Sequence, residues 1–195
     1  ANNIVGQTIA QGSYTKNSKE NATPFWSTLF AQVSKESKQE NICISPLSAQ
    51  MALSMTANGG VGETQKQIYS VMGLTGNINA DAKETLENFA DNRYGCEVNI
   101  ANSIWINEKL DVKQNFIDTN KEFFNALVTT APFNRETLQT INNWCSDNTN
   151  GKIKSAISEI KKNDRMYLIN ALYFKGGWDN EFDKNMTKET PFTKE

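Results

Sequence analysis

The chain of 195 residues is 38% hydrophobic and 22% charged, a balance that suits one globular domain or part of a larger one and excludes a chain disordered throughout. Its net charge of −2, with no basic block, argues against nucleic acid or an anionic membrane as the main partner. It contains no histidine, which removes Ser-His-Asp and Cys-His triads and histidine-ligated zinc from the residues in view.

Residues 1–20 are polar and aperiodic and are expected to form a loose lead-in. They lack the basic and apolar regions of a secretory leader, although a mature chain after cleavage would look the same, so the compartment stays open. Thr23-Pro24 predicts a helix start, with proline at the first helical position. Phe25, Trp26, Leu29, Phe30 and Val33 follow at the spacing of one apolar face. That helix ends in the charged stretch Lys35 to Glu40. Asn41 to Ile44 reads as a short apolar strand, and Ser45-Pro46 caps a second helix with almost no loop between. The second helix, Pro46 to about Asn58, carries Met51, Ala52, Leu53, Met55 and Ala57 with little charge on any face, the pattern of a helix buried all round. Gly59-Gly60 ends it, and Gly62-Glu-Thr64 leads into a third helix through Ile68 and Met72. A fourth is expected from Asn79 to about Asn92, with Leu86, Phe89 and Ala90 inward and Asp81, Glu84, Glu87 and Asp91 outward.

Cys96 to Asn107 sets Val98, Ile100, Asn102, Ile104 and Ile106 against Asn99, Ala101, Ser103 and Trp105, the two-residue period of a strand. Phe116, Ile117, Asn120, Phe123 and Phe124 give a helical face, and Leu127 to Phe133 another strand. Leu138, Ile141, Trp144 and Cys145 mark the last clear helix, stopped by Asn150-Gly151. Arg165 to Trp178 is a continuous apolar run with β-branched and aromatic content and a Gly-Gly stop, the pattern of a central strand covered on both faces. Strands alternating with helices toward the C-terminus predict a mixed α+β fold around a sizeable sheet. No segment approaches the roughly 18 consecutive apolar residues of a membrane-spanning helix.

Few residues carry chemistry. No GxxxxGK[ST] or GxGxxG cradles a phosphate, so no nucleotide cofactor is expected. The carboxylates lie mostly on amphipathic helices, where a solvated face explains them better than acid–base work. Cys43, Cys96 and Cys145 are odd in number and widely spaced, so they suit buried free thiols rather than disulfides or a metal knuckle. The sequons Asn21-Ala-Thr and Asn185-Met-Thr are short enough to arise by chance and decide nothing by themselves. Asn170 stands out, because an amide inside the apolar run costs about 1–3 kcal/mol unless it has partners. It is either a satisfied core amide or a polar switch inside a sheet.

Several blocks together resemble the serpin family, in family order, from about Phe25 to Phe192. Asn41-Ile-Cys-Ile-Ser45-Pro46-Leu47-Ser48, followed by Leu53, is similar to the strand and buried helix that open the serpin core. Gly59-Gly-Val-Gly62-Glu-Thr64 resembles the family's GAxGxT turn, with Gly60 in place of the usual alanine. Ala101-Asn102-Ser103-Ile-Trp105 resembles the second strand of its sheet A. Ile141-Asn142-Asn-Trp144 with Thr149-Asn-Gly151-Lys-Ile153 resembles its sixth helix and exit. Asn170-Ala-Leu-Tyr-Phe174-Lys-Gly176-Gly-Trp178, with Phe182, Thr187 and Phe192, is the most specific block, and makes Arg165 to Trp178 the third strand of sheet A. The chain departs from the pattern between Ser155 and Asp164, which is shorter than usual and lacks the common proline.

The resemblance implies residues 21–195 as the N-terminal half of a single serpin domain after a lead-in at 1–20. In it the first six helices pack on a large mixed sheet that is incomplete without a C-terminal half. It implies no enzyme but a suicide-substrate inhibitor of a serine or cysteine protease, with that protease and the complementary half as partners and no metal or cofactor. The alternative is a non-inhibitory serpin serving as carrier, storage or chaperone protein. Ser45, Ser48 and Asn170 then look like the shutter beneath the opening sheet, and Trp178 like the breach where insertion begins. On residue chemistry alone Ser45 is a helix N-cap, which is compatible with the shutter role, and Trp178 is a buried aromatic at a strand end. The reactive loop lies outside this sequence. Heparin is not expected to act through the fourth helix, whose outward acids outnumber Lys83 and Arg93. The family favours an extracellular site, and the free cysteines leave a cytoplasmic one open.

Overall fold

A computed structural model describes residues 24–38, 41–90 and 95–191. In chain order these form α1 (Phe25–Glu36), α2 (Pro46–Ala57), α3 (Glu63–Met72), α4 (Ile78–Ala90), β1 (Cys96–Asn107), α5 (Gln114–Phe124), β2 (Leu127–Ala131), α6 (Arg135–Asn148) and β3 (Met166–Gly176), then a 3-10 turn at Lys184–Met186. The strands build a mixed sheet in the order β2-β1-β3. β2 runs parallel to β1, from Ser103 opposite Leu127 to Asn107 opposite Ala131, after a crossover through α5. β3 runs antiparallel to β1 along its whole length, from Cys96 opposite Gly176 to Ile106 opposite Met166.

Helices cover both faces of the sheet. Side chains alternate across a strand, so Asn102, Ile104 and Ile106 of β1 and Met166, Leu168 and Asn170 of β3 share one face. There Ile104 and Ile106 pack with Met51 and Met55 of α2, Ala82 of α4, and Phe116 and Phe124 of α5. Phe124, Met55 and Ile104 are wholly buried, each contributing about 1.5–3 kcal/mol. On the opposite face α6 presents Thr137, Ile141 and Cys145, spaced four apart and all buried. α6 starts where Asn134 accepts a 3.0 Å hydrogen bond from Thr137 N, and is stopped by Asn150 and Gly151 at φ of 48° and 74°, the left-handed region that Asn and Gly enter most readily.

Several elements depart from the sequence expectation. β3 is shorter at both ends than Arg165 to Trp178 and is an edge strand among the described residues rather than a central one. Only β1 pairs with it, and the resemblance assigns its other neighbour to the C-terminal half. Its cover is correspondingly thin, with only Ala171 and Tyr173 buried. Residues 41–44 form no strand, because no described strand lies beside them. Met51, Ser54, Met55 and Ala57 of α2 are buried, yet Thr56 is exposed, so the helix is covered on one side and not all round. In α4 the inward residues are Ile78, Ala82 and half-buried Leu86, four apart. Phe89 and Ala90 fall off that stripe and are exposed. Pro24 is the N-cap of α1 rather than its first residue, its carbonyl accepting from Ser27 N and Thr28 N; Thr23 lies outside the described residues. β2 ends at Ala131, two residues before Phe133, where Pro132 supplies no N–H to a ladder. At the glycine turn, a Cβ on Gly60 would meet Ala57 O and Gln65 N at 3.4 Å, ordinary contact, so the family's alanine would fit there as well.

Candidate functional site

The centre of the β1–β3 ladder sets two amides against each other. Asn102 and Asn170 are directly paired in register, and Asn170 Nδ2 donates to Asn102 Oδ1 at 2.9 Å. Asn102 Nδ2 in turn donates to the Phe124 carbonyl at the end of α5, at 2.8 Å. That bond satisfies one of the carbonyls a helix C-terminus leaves open. Asn170 Oδ1 is buried and has no hydrogen-bond partner among the described residues. Such a polar atom costs about 1–3 kcal/mol for as long as it stays unpaired. Asn102 stood in the sequence as one member of a strand pattern and of a family block, with no site role given to it. Its signal was the same as that of Asn170, an amide on the core side of an apolar strand.

Ser45 and Ser48 meet at the start of α2. Ser45 Oγ accepts from Ser48 N at 3.2 Å, which makes Ser45 the N-cap. The two hydroxyls are 2.8 Å apart, in a bond that either can donate. Both residues are half-buried. α2 lies against β3, so the serine pair and the amide pair belong to one helix–sheet junction, but no hydrogen bond joins Asn170 to either serine among the described residues.

Trp178 stands apart from that junction. It lies beyond Gly176, the last residue of β3, is 73% exposed, and touches Phe182 edge to face with ring centroids 5.4 Å apart. It is not the buried aromatic that its residue type suggested.

Two polar clusters fix the connection between α6 and β3. Asn142 of α6 donates through Nδ2 to Ile157 O at 2.9 Å and accepts at Oδ1 from Ala156 N at 2.8 Å and Ile157 N at 3.1 Å, so one amide pins the crossover to the helix. At the entry to β3 the Tyr167 hydroxyl donates to Asp164 Oδ2, which also accepts from Lys161 N at 2.8 Å. The Tyr167 bond, with the Lys161 N–H second, holds the Asp164 carboxyl below the usual carboxylate range. Burial first, then the Asp164 carboxylate, pushes the Tyr167 hydroxyl up to about 12. Cys145 is buried on the sheet side of α6, and burial pushes its thiol up, away from the reactive thiolate. No cluster of metal-ligating side chains occurs among the described residues.

The sequence profile of the family described as Serpin (serine protease inhibitor) matches residues 20–195. Neuroserpin of Homo sapiens is 34% identical over 166 residues, covering 81% of this chain and 40% of the relative. An uncharacterized serpin-like protein of Methanosarcina acetivorans is 34% identical over 169 residues, 82% of this chain and 40% of that one. Among solved structures, the thermophilic serpin tengpin in the latent state superposes with a TM-score of 0.75 at 33% identity, covering 83% of this chain and 44% of tengpin. The chain thus spans less than half the length of these relatives.

Proposed function

The chain belongs to the serpin family, and we propose that it supplies the shutter and breach side of a suicide-substrate inhibitor of serine or cysteine proteases. The observation that carries this reading is the amide pair at the centre of the β1–β3 ladder, where Asn170 Nδ2 donates to Asn102 Oδ1 at 2.9 Å while Asn170 Oδ1 stays buried without a partner among the described residues. The pair lies behind the outer edge of β3, whose other neighbour the resemblance assigns to the C-terminal half. In this reading the protease attacks an exposed loop elsewhere in the domain and forms an acyl-enzyme. The cut loop then inserts beside β3, with strain released from the native sheet as the driving force. The protein supplies a track and a trap and catalyses no reaction of its own.

The junction beneath that edge suits a sheet that must move. Asn170 holds β3 to β1 through Asn102 and keeps Oδ1 available for a donor supplied by another element. Ser45 and Ser48 bond to each other at the helix N-terminus, and among the described residues no hydrogen bond ties them to β3, which suits a strand that shifts across α2 in this reading. In this reading Trp178, just past the end of β3, marks the breach where an incoming strand starts. The test mixes a protein carrying the complete domain with trypsin-like, chymotrypsin-like and papain-like proteases. A covalent complex that survives denaturing electrophoresis is expected. Cleavage without any complex, across all three classes, would replace this reading with the carrier, storage or chaperone one.

A further inference from the structure

Between Ser155 and Asp164, where the chain is shorter than the serpin pattern and lacks its common proline, side chains set the course of the α6–β3 crossover. Asn142 fixes the first part, at Ala156 and Ile157. A separate group fixes the last part, at the end of the sheet where β1 stops and β3 starts. Tyr167 lies on the α6 face of β3, opposite Trp105 of β1 in register. Its hydroxyl donates to Asp164 Oδ2 and lies 3.4 Å from the Glu159 carbonyl oxygen. Asp164 Oδ2 also accepts from Lys161 N at 2.8 Å, and Asp164 N donates to Lys161 O at 3.0 Å, closing a tight turn.

This group stands on the β1 side of β3. Asn107, the buried last residue of β1, donates from Nδ2 to the Asp164 carbonyl at 3.3 Å and from its backbone N–H to the Arg165 carbonyl at 3.0 Å. Phe133, two residues past β2, touches the Tyr167 ring with centroids 5.4 Å apart. All of these partners are described residues, and none of the contacts requires an open surface. Together they draw the crossover toward β1 and β2 and away from the outer edge of β3. A strand added at that edge would set every second side chain on this same face.

We propose that Tyr167 and Asp164 form a buckle that keeps the crossover clear of the outer edge of β3, so that a strand joining that edge can pair all the way to Met166. This role rests on the inhibitory reading, in which Tyr167 and Asp164 are positioning residues. The buckle lies at the end of β3 remote from Trp178, so it acts on the last part of insertion and not on its start. Once it is released, the crossover strays over the positions that the final strand pairs need, and insertion slows. The acyl-enzyme then has time to hydrolyse: water adds to the acyl carbon, the bond to the protease oxygen or sulfur breaks, and that atom takes up the proton, leaving free protease and a cleaved chain.

The test uses a protein carrying the complete domain. It compares the wild type with Tyr167→Phe, which keeps the ring contact and loses the hydroxyl, with Asp164→Ala, and with Asp164→Asn, which keeps an oxygen acceptor. Amide protection at Lys161 is expected to fall about threefold or more in Tyr167→Phe and Asp164→Ala, with Ala156 and Ile157 unchanged under Asn142. The rate at which protease cuts the loop should stay the same, while the share of cut chains that end in covalent complex falls about twofold or more and recovers in Asp164→Asn. Unchanged protection at Lys161 in both variants overturns the buckle. Lowered protection with an unchanged share of complex overturns its part in trapping. A wild type that forms no complex with any protease class ends the inhibitory reading and the trapping role with it, while the exchange measurement still decides the buckle.

Discussion

Asn170 and Asn102 form one unit, so their substitutions should not add. Asn170→Ala removes the donor to Asn102 Oδ1 and should cost about 1–3 kcal/mol while easing sheet opening. Asn102→Ala also strips the Phe124 carbonyl and should cost at least as much. In a protein carrying the complete domain, the double variant should be closer to the single ones than to their sum, as a denaturation cycle would read. Unchanged melting, with unchanged latency and polymerisation rates in Asn170→Ala, would remove the switch role. The Tyr167–Asp164 pair makes a pH prediction at the same scale. Asp164 is depressed, so its stabilisation is present above the ordinary carboxylate value of about 3.9 and lost as pH falls through the lower folded value. Tyr167 is raised, so its stabilisation is complete below about pH 10 and lost as pH rises through about 12. Tyr167→Phe should flatten both arms of a urea-midpoint profile across the pH scale, because it returns Asp164 toward its usual range and removes the phenol.

Among the elements, α4 and the α6–β3 connection make opposite demands on charge and hydrogen bonding. Glu84 and Glu87 are exposed on α4 beside Lys83, an acidic balance expected to repel a polyanion rather than gather one. Heparin affinity chromatography should show no salt-dependent retention traceable to Lys83; retention lost on substituting Lys83 and Arg93 would contradict this. Asn142 makes three hydrogen bonds to residues 156–157. Asn142→Ala should release that connection, raising amide hydrogen exchange there and costing about 1–3 kcal/mol. An Asn142→Ala protein with wild-type protection at Ala156 and Ile157 would show that the connection is held by other contacts.

Across the whole molecule, the unfinished surfaces decide what residues 1–195 can do by themselves. Met51 and Met55 are buried among Ile104 and Ile106 of β1 and Phe116 and Phe124 of α5, so the centre of the fold is packed. The deficit lies at its margins. Trp26 and Phe30 of α1 are 60% and 47% exposed, and Phe174 near the open end of β3 is 63% exposed. Each large side chain left in water forgoes about 1.5–3 kcal/mol, and a margin of roughly 5–15 kcal/mol cannot absorb many such losses. Residues 1–195 expressed alone are expected to associate or to melt without cooperativity, and to become monomeric and cooperative when the complementary half is supplied. A soluble monomer with a sharp transition in analytical ultracentrifugation and calorimetry would show the margins to be tolerable.

Local rules were sufficient for every helix and for the identity of each paired strand. Capping residues, Gly stops and the three-to-four spacing of apolar side chains act within a few residues, so Ser45-Pro46, Asn150-Gly151 and the Phe116–Phe124 face were legible before any fold was known. The family blocks were legible for the same reason, since each is a contiguous run. Contacts between distant residues were not. That Asn102 faces Asn170 depends on the register of two strands 68 residues apart; that Phe89 misses the core depends on how α4 is rotated against the sheet; and that β3 is left with an open edge depends on which strand comes to its side. Sequence patterning states which face of an element is apolar. Only the packed chain decides what that face meets, because burial and hydrogen-bond satisfaction are properties of pairs and not of single residues.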